Sequence, residues 1–68
     1  MKNNIRDKRV ERGWTQEHLS EKVGVSRQTI ISLENGKYNA SLILAHKLAQ
    51  AFECLIEDLF IFEGDENL

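Results

Sequence analysis

Apolar positions along this chain recur at helical spacing, with very little alternation. Between Leu42 and Phe52, the residues Ala45, Leu48, Ala49 and Phe52 form a stripe at i, i+3, i+4 and i+7, which Leu42 and Leu44 widen. Leu19 and Val23 form an i, i+4 pair, and Ile30 and Leu33 an i, i+3 pair. The first stretch is thinner, with Ile5, Val10 and, just beyond its end, Trp14. Lys8 stands where a further apolar residue would help the core, so its methylenes are expected to cover apolar surface while the ammonium stays wet. Glycines at 13, 24 and 36 each close a helix-compatible stretch, and Thr15, Ser26 and Ser41 each open one as N-caps. This punctuation predicts helices at about 4–12, 16–23, 27–35 and 42–52. A short fifth helix follows at about 56–60, where Leu55, Ile56, Leu59 and Phe60 recur. Phe60-Ile61-Phe62 could extend as a short strand or pack as a tail. There is no proline, repeat or linker, so a single all-α domain over residues 1–68 is expected.

The second and third predicted helices are short, and only Gly24, Val25 and Ser26 separate them. Two short helices at a steep angle across a tight Gly-containing turn make a helix-turn-helix unit, here residues 16–35. The apolar positions fit that geometry. Leu19 and Val23 would face the core, and Val25 would plug the turn. Gly24 would supply the left-handed backbone, Ile30 and Leu33 would anchor the second helix, and Ser20 is small enough for the helices to cross closely.

The run Thr15-Gln16-Glu17-His18-Leu19-Ser20-Glu21-Lys22-Val23-Gly24-Val25-Ser26-Arg27-Gln28-Thr29-Ile30, with Leu33-Glu34-Asn35-Gly36-Lys37 after it, resembles the lambda repressor-like (Cro/cI, XRE-type) family. The resemblance extends from Ile5 to about Phe60. It implies a five-helix lambda repressor-like domain that binds DNA as a dimeric transcriptional regulator. It also implies phosphate contacts at Gln16 and Asn35, and an Arg9–Glu34 pair tying helix 1 to the end of helix 3. The chain departs from the family pattern at Ala40, where proline is frequent, and at Leu55, where a Ser or Thr cap is frequent. A looser loop before helix 4 and a weaker start to helix 5 are expected from these departures.

Helical geometry then selects the reading face. At about 100° per residue, Ile30 and Leu33 define the buried side of the third helix. The opposite side holds Gln28, Ile31 and Ser32, with Arg27 at its edge. Residues near the N-terminus of such a helix reach base edges in the major groove. Gln28 can bond adenine N7 and N6, and Arg27 can take either the O6/N7 pair of guanine or a phosphate. Ile31 would bury a thymine methyl or pack partly on its own protein, and Ser32 could bond several bases. Gln16 opens helix 2, whose free N–H groups favour an anion. Lys37, Tyr38 and Asn39 follow helix 3 and can reach the adjoining DNA backbone.

One recognition helix makes a small interface, so two half-sites about 34 Å apart, read by a homodimer, are expected. The C-terminal region 55–62 supplies apolar residues for the dimer interface: Leu55, Ile56, Leu59, Phe60 and Phe62. Phe60 and Phe62 could alternatively fold back onto their own core.

Composition narrows the function further. Sixty-eight residues amount to one domain, too short for a Rossmann unit with a substrate domain or for a barrel. No Ser-His-Asp set, phosphate loop or carboxylate pair with a pocket can be assembled, so no enzyme is expected. Single Cys54 excludes an internal disulfide or a Cys-rich zinc site, and is read as a small core residue or, alternatively, a redox sensor. His18 and His46 lack metal-ligand spacing, so no metal, cofactor or small-molecule ligand is expected. No apolar run suits a membrane span or signal peptide, and a cytoplasmic location follows as the expectation. The net charge of −2 conceals a division: residues 1–38 carry eight Lys and Arg against five acids, while residues 39–68 carry one Lys against six acids. A basic surface and an acidic one are therefore expected on one small domain. The favoured function is a homodimeric repressor that binds double-stranded DNA at a pseudo-palindromic operator. An antitoxin that also masks a protein partner, or an interaction module without DNA binding, are the alternatives.

Overall fold

The computed structural model describes residues 2–61. Five helices follow in order: α1 (Ile5–Glu11), α2 (Gln16–Val23), α3 (Arg27–Glu34), α4 (Leu42–Phe52) and α5 (Ile56–Leu59). The expected caps form. Thr15 Oγ1 accepts from the His18 N–H at 2.9 Å, Ser26 Oγ from Thr29 at 3.2 Å, and Ser41 Oγ from Leu44 at 3.1 Å. Each satisfies one backbone donor that a helix start leaves open. Leu55 has no capping oxygen, but the Asp58 carboxylate accepts the Leu55 N–H at 3.1 Å and supplies half of a capping box. At the turn between α2 and α3, Gly24 takes φ +74°, a conformation costly for any residue with a Cβ.

Ile5, Leu19, Val23, Ile30, Leu33, Leu44, Ala45, Leu48, Ala49, Phe52, Leu59 and Phe60 make one buried cluster, and Trp14, Val25 and Cys54 pack against it. Ser20 is buried among these apolar residues, as a close crossing of α2 and α3 requires. α2 packs on both α3 and α4, and α5 packs on α4. No helix among the described residues is long and apolar enough to cross a membrane.

Two stripe positions turn out exposed. Val10 lies five residues from Ile5, about 140° round the short α1, and points to solvent. Leu42 shares the helical phase of Ala45 and Ala49, yet on the first turn of α4 it stays 79% exposed.

The C-terminal expectation is corrected more sharply. Leu59 and Phe60, assigned by sequence to the dimer surface, are 0% and 4% exposed and complete the core of their own chain. Backbone pairing holds them there. The Asn4 N–H donates to Leu59 C=O at 2.7 Å, and the Ile61 N–H to Lys2 C=O at 3.0 Å. These bonds flank a single antiparallel bridge between Asn3 and Phe60. The possible strand at 60–62 is thus one bridge to the chain's own N-terminal segment, and Phe62 lies outside the described residues.

Candidate nucleic-acid interface

Ile30 and Leu33 are fully buried and fix the orientation of α3. Arg27 and Gln28 project from its first turn into solvent, and Ile31 and Ser32 are half-buried on the next turn. Of the four residues expected to read bases, two are therefore fully open and two are partly covered by their own protein. Lys37, Tyr38 and Asn39 are exposed in the loop that follows.

Beside α3 lies a concave cleft of about 670 Å³, lined by Arg6, Arg9, Thr15, Gln16, Glu17, Arg27, Glu34 and Asn35. It joins the start of α2 to both ends of α3. Gln16, Arg27 and Asn35, proposed from three separate stretches of sequence, meet there. Lys37, Tyr38 and Asn39 do not line it. Arg6 was missed from sequence. Its only signal was a second arginine one helical turn before Arg9.

The floor of the cleft is the Arg9–Glu34 pair. Arg9 Nε lies 2.7 Å from Glu34 Oε2 and Nη2 lies 3.3 Å from Oε1, a side-on bidentate contact. Arg9 Nη1 also donates to the Trp14 C=O at 2.8 Å, and Gln16 Nε2 donates to Glu34 Oε1 at 3.2 Å. The two side chains are only 13% and 4% exposed, so the pair is largely desolvated and depends on these surrounding bonds. It neutralises one charge of each sign within the cleft. Arg6 and Arg27 remain on its rim against Glu17, leaving it positive.

Three acids of the second half of the chain lie elsewhere. Glu53, Glu57 and Asp58 line a separate groove between α4 and α5, together with His46, Cys54, Leu55 and Ile56. Of the six acids in residues 39–68, these three lie on a surface that shares no residue with the cleft, while Glu63, Asp65 and Glu66 lie outside the described residues. Desolvation pushes the Cys54 thiol above its ordinary pKa, aided by Asp58 and opposed by Lys8 and Arg12. A thiol held protonated is a poor nucleophile, which disfavours a redox-sensing role. Trp14 stacks on Phe52 with centroids 5.2 Å apart, and Lys22 sits 4.9 Å from its ring centroid. Its surroundings are those of a packing residue. No group of three or more His, Cys, Asp or Glu suited to a metal occurs among the described residues.

Comparison with known proteins agrees with this architecture. The helix-turn-helix family model matches residues 5–59. An uncharacterized HTH-type transcriptional regulator of Archaeoglobus fulgidus is 56% identical over 66 residues, covering 97% of this chain and 94% of the relative. A second, from Methanocaldococcus jannaschii, is 54% identical and covers 97% of this chain and 100% of that one. Among solved structures, the restriction-modification controller protein C.AhdI of Aeromonas hydrophila superposes with a TM-score of 0.77 at 34% identity, over 82% of this chain and 85% of that one. A helix-turn-helix unit capped, anchored and turned as above, matched over nearly its whole length, makes this chain a member of the helix-turn-helix transcriptional regulators of the lambda repressor-like (XRE) type.

Proposed function

We propose that the chain is a homodimeric repressor that reads the DNA major groove with α3. The observation that carries this reading is the exposure of Arg27 and Gln28 on the first turn of α3, beside a cationic cleft, while Ile30 and Leu33 hold the helix from behind. Gln28 pairs with an adenine edge and Arg27 with a guanine edge or phosphate. Ile31 and Ser32 give smaller contacts, since part of each side chain already faces its own protein. Gln16, Asn35, Lys37, Tyr38 and Asn39 hold the DNA backbone, and each phosphate neutralised by a cationic side chain adds about 0.9 to the log–log salt slope.

Pairing of two copies uses the apolar surface that the fold leaves uncovered. Leu55 is 64% exposed and Ile56 half-buried beside the α4–α5 groove, with Leu42 and Ile43 exposed on the first turn of α4. This face replaces Leu59 and Phe60 as the dimer surface. Repression by occlusion of a pseudo-palindromic operator, in the cytoplasm, follows as the simplest mode of action.

Selection of bound sequences from random double-stranded DNA tests the reading. A symmetric motif with half-sites about 34 Å apart is expected. The Arg27→Ala, Gln28→Ala double variant should lose that motif while remaining folded. If the double variant bound the motif as tightly as the parent, α3 would not be the reading helix.

A further inference from the structure

We propose that Asn3 is a positioning residue for DNA binding, one that ties the end of the reading helix to the C-terminal segment beside the dimer surface. Its two side-chain atoms have distinct partners. Oδ1 accepts the Ile5 N–H at 3.1 Å, the first open donor of α1, while Nδ2 donates to the Leu33 C=O at 2.7 Å, in the last turn of α3. The donor and acceptor together fix which way the amide faces. The backbone of the same residue forms the antiparallel bridge to Phe60, immediately after α5. On the other side, Asn4 Nδ2 donates to the Asp58 C=O at 3.1 Å. Three consecutive residues, 2–4, thus bind α5 and the segment after it through both backbone and side chain, and reach α3 through the Asn3 amide.

The placement matters because α3 takes its packing from α2 and α1, whereas α5 packs on α4. The reading helix and the proposed dimer surface therefore belong to different neighbourhoods of a small core. A hydrogen bond from the N-terminal segment to the end of α3 spans them. In a dimer it constrains how far apart and at what angle two copies of α3 stand. A single half-site makes no demand on that geometry, but a pair of half-sites does.

The inference rests on the proposed reading by α3 and on pairing through α4 and α5, and its test separates the two levels. Asn3→Ser keeps an acceptor for the Ile5 N–H but is too short to reach Leu33. Affinity is measured, with the full chain, on duplexes carrying one or two copies of the half-site that the parent selects. Asn3→Ser should lower affinity for the paired site about five-fold, through lost pre-organisation of spacing and angle, and leave the single half-site within about two-fold. Random-DNA selection with the variant should return a broader range of half-site spacings. Asn4→Ala, which removes the bond to Asp58 at the other end of the tie, should lower the paired-to-single ratio in the same direction but by less, since the backbone bonds of residues 2–4 to Leu59 and Ile61 remain. Equal losses on single and paired sites would overturn the inference while leaving DNA reading intact. If Asn3→Ser does not fold, Asn3→Gln, which sets the amide one methylene away, is read by the same ratio. A parent chain that selects no sequence removes the DNA-reading proposal itself, and this inference with it.

Discussion

Glu34 accepts from Arg9 twice and from Gln16 once, and its side chain is almost completely buried. Removing either partner of such a pair leaves an uncompensated charge out of water, which costs far more than loss of an exposed ion pair. Glu34→Ala should therefore lower unfolding free energy by about 3 kcal/mol, read from denaturant melts followed by Trp14 fluorescence. A drop below about 1 kcal/mol would mean that the pair behaves as a solvated one. Glu53 presents the opposite case. As the C-cap of α4 it adopts φ +57°, the left-handed conformation that Gly24 occupies without a side chain. Glu53→Gly relieves that conformation at the expense of a more flexible unfolded chain, and a net gain of about 1 kcal/mol is expected. For a domain of this size that corresponds to a rise in thermal midpoint of about 4–8 °C.

At the level of elements, α2 and α3 have eight residues each, too few to be stable helices alone. Each is held by one cap, one αL or loop exit and two or three buried side chains. The consequence is that α3, the proposed reading helix, is only as rigid as its anchors. Ile30→Ala deletes a fully buried side chain and should cost about 2–5 kcal/mol. That is a large share of the total for 68 residues, about 3–10 kcal/mol at ordinary stability per residue. The circular dichroism melt of Ile30→Ala should shift by tens of degrees or lose its cooperative transition, and a melt within a few degrees of the parent would show that α3 is held by other contacts. α5 is shorter still, and Asp58 at its first turn compensates for the absent hydroxyl cap at Leu55. Position 55 is thereby left free to carry an exposed leucine.

For the whole molecule, the basic cleft and the acidic α4–α5 groove are distinct surfaces of one small domain. This arrangement keeps Glu53, Glu57 and Asp58 off the cleft where phosphates are proposed to bind, which lets a net charge of −2 coexist with DNA binding. The proposed pairing surface adjoins the acidic groove. Leu55→Lys should therefore give a one-chain mass in sedimentation at micromolar concentration and weaken paired-site binding, with the single-domain melt little changed. A variant that still sedimented at two-chain mass would move the dimer surface elsewhere.

The five helices, their caps and the helix-turn-helix unit were legible in the chain, because cap residues, glycine turns and helical phase are local properties. The exposure of Arg27 and Gln28 on the first turn of α3 was legible for the same reason, since Ile30 and Leu33 fix the phase. What periodicity could not decide was which of two apolar surfaces at the C-terminus faces inward. Leu55, Ile56, Leu59 and Phe60 look alike as a string, and the core took Leu59 and Phe60 because backbone pairing with residues 2–4, more than fifty positions away in the chain, drew them in. Leu42 was misjudged for a related reason, since phase gives a direction but not whether anything lies there to cover it. Arg6 and Asn3 gain their significance from neighbours on α2 and α3. Local sequence thus determined the elements and the exposed face of α3, whereas burial, the cleft and the tie between α3 and the C-terminal segment came from long-range packing, which no short window of the chain encodes.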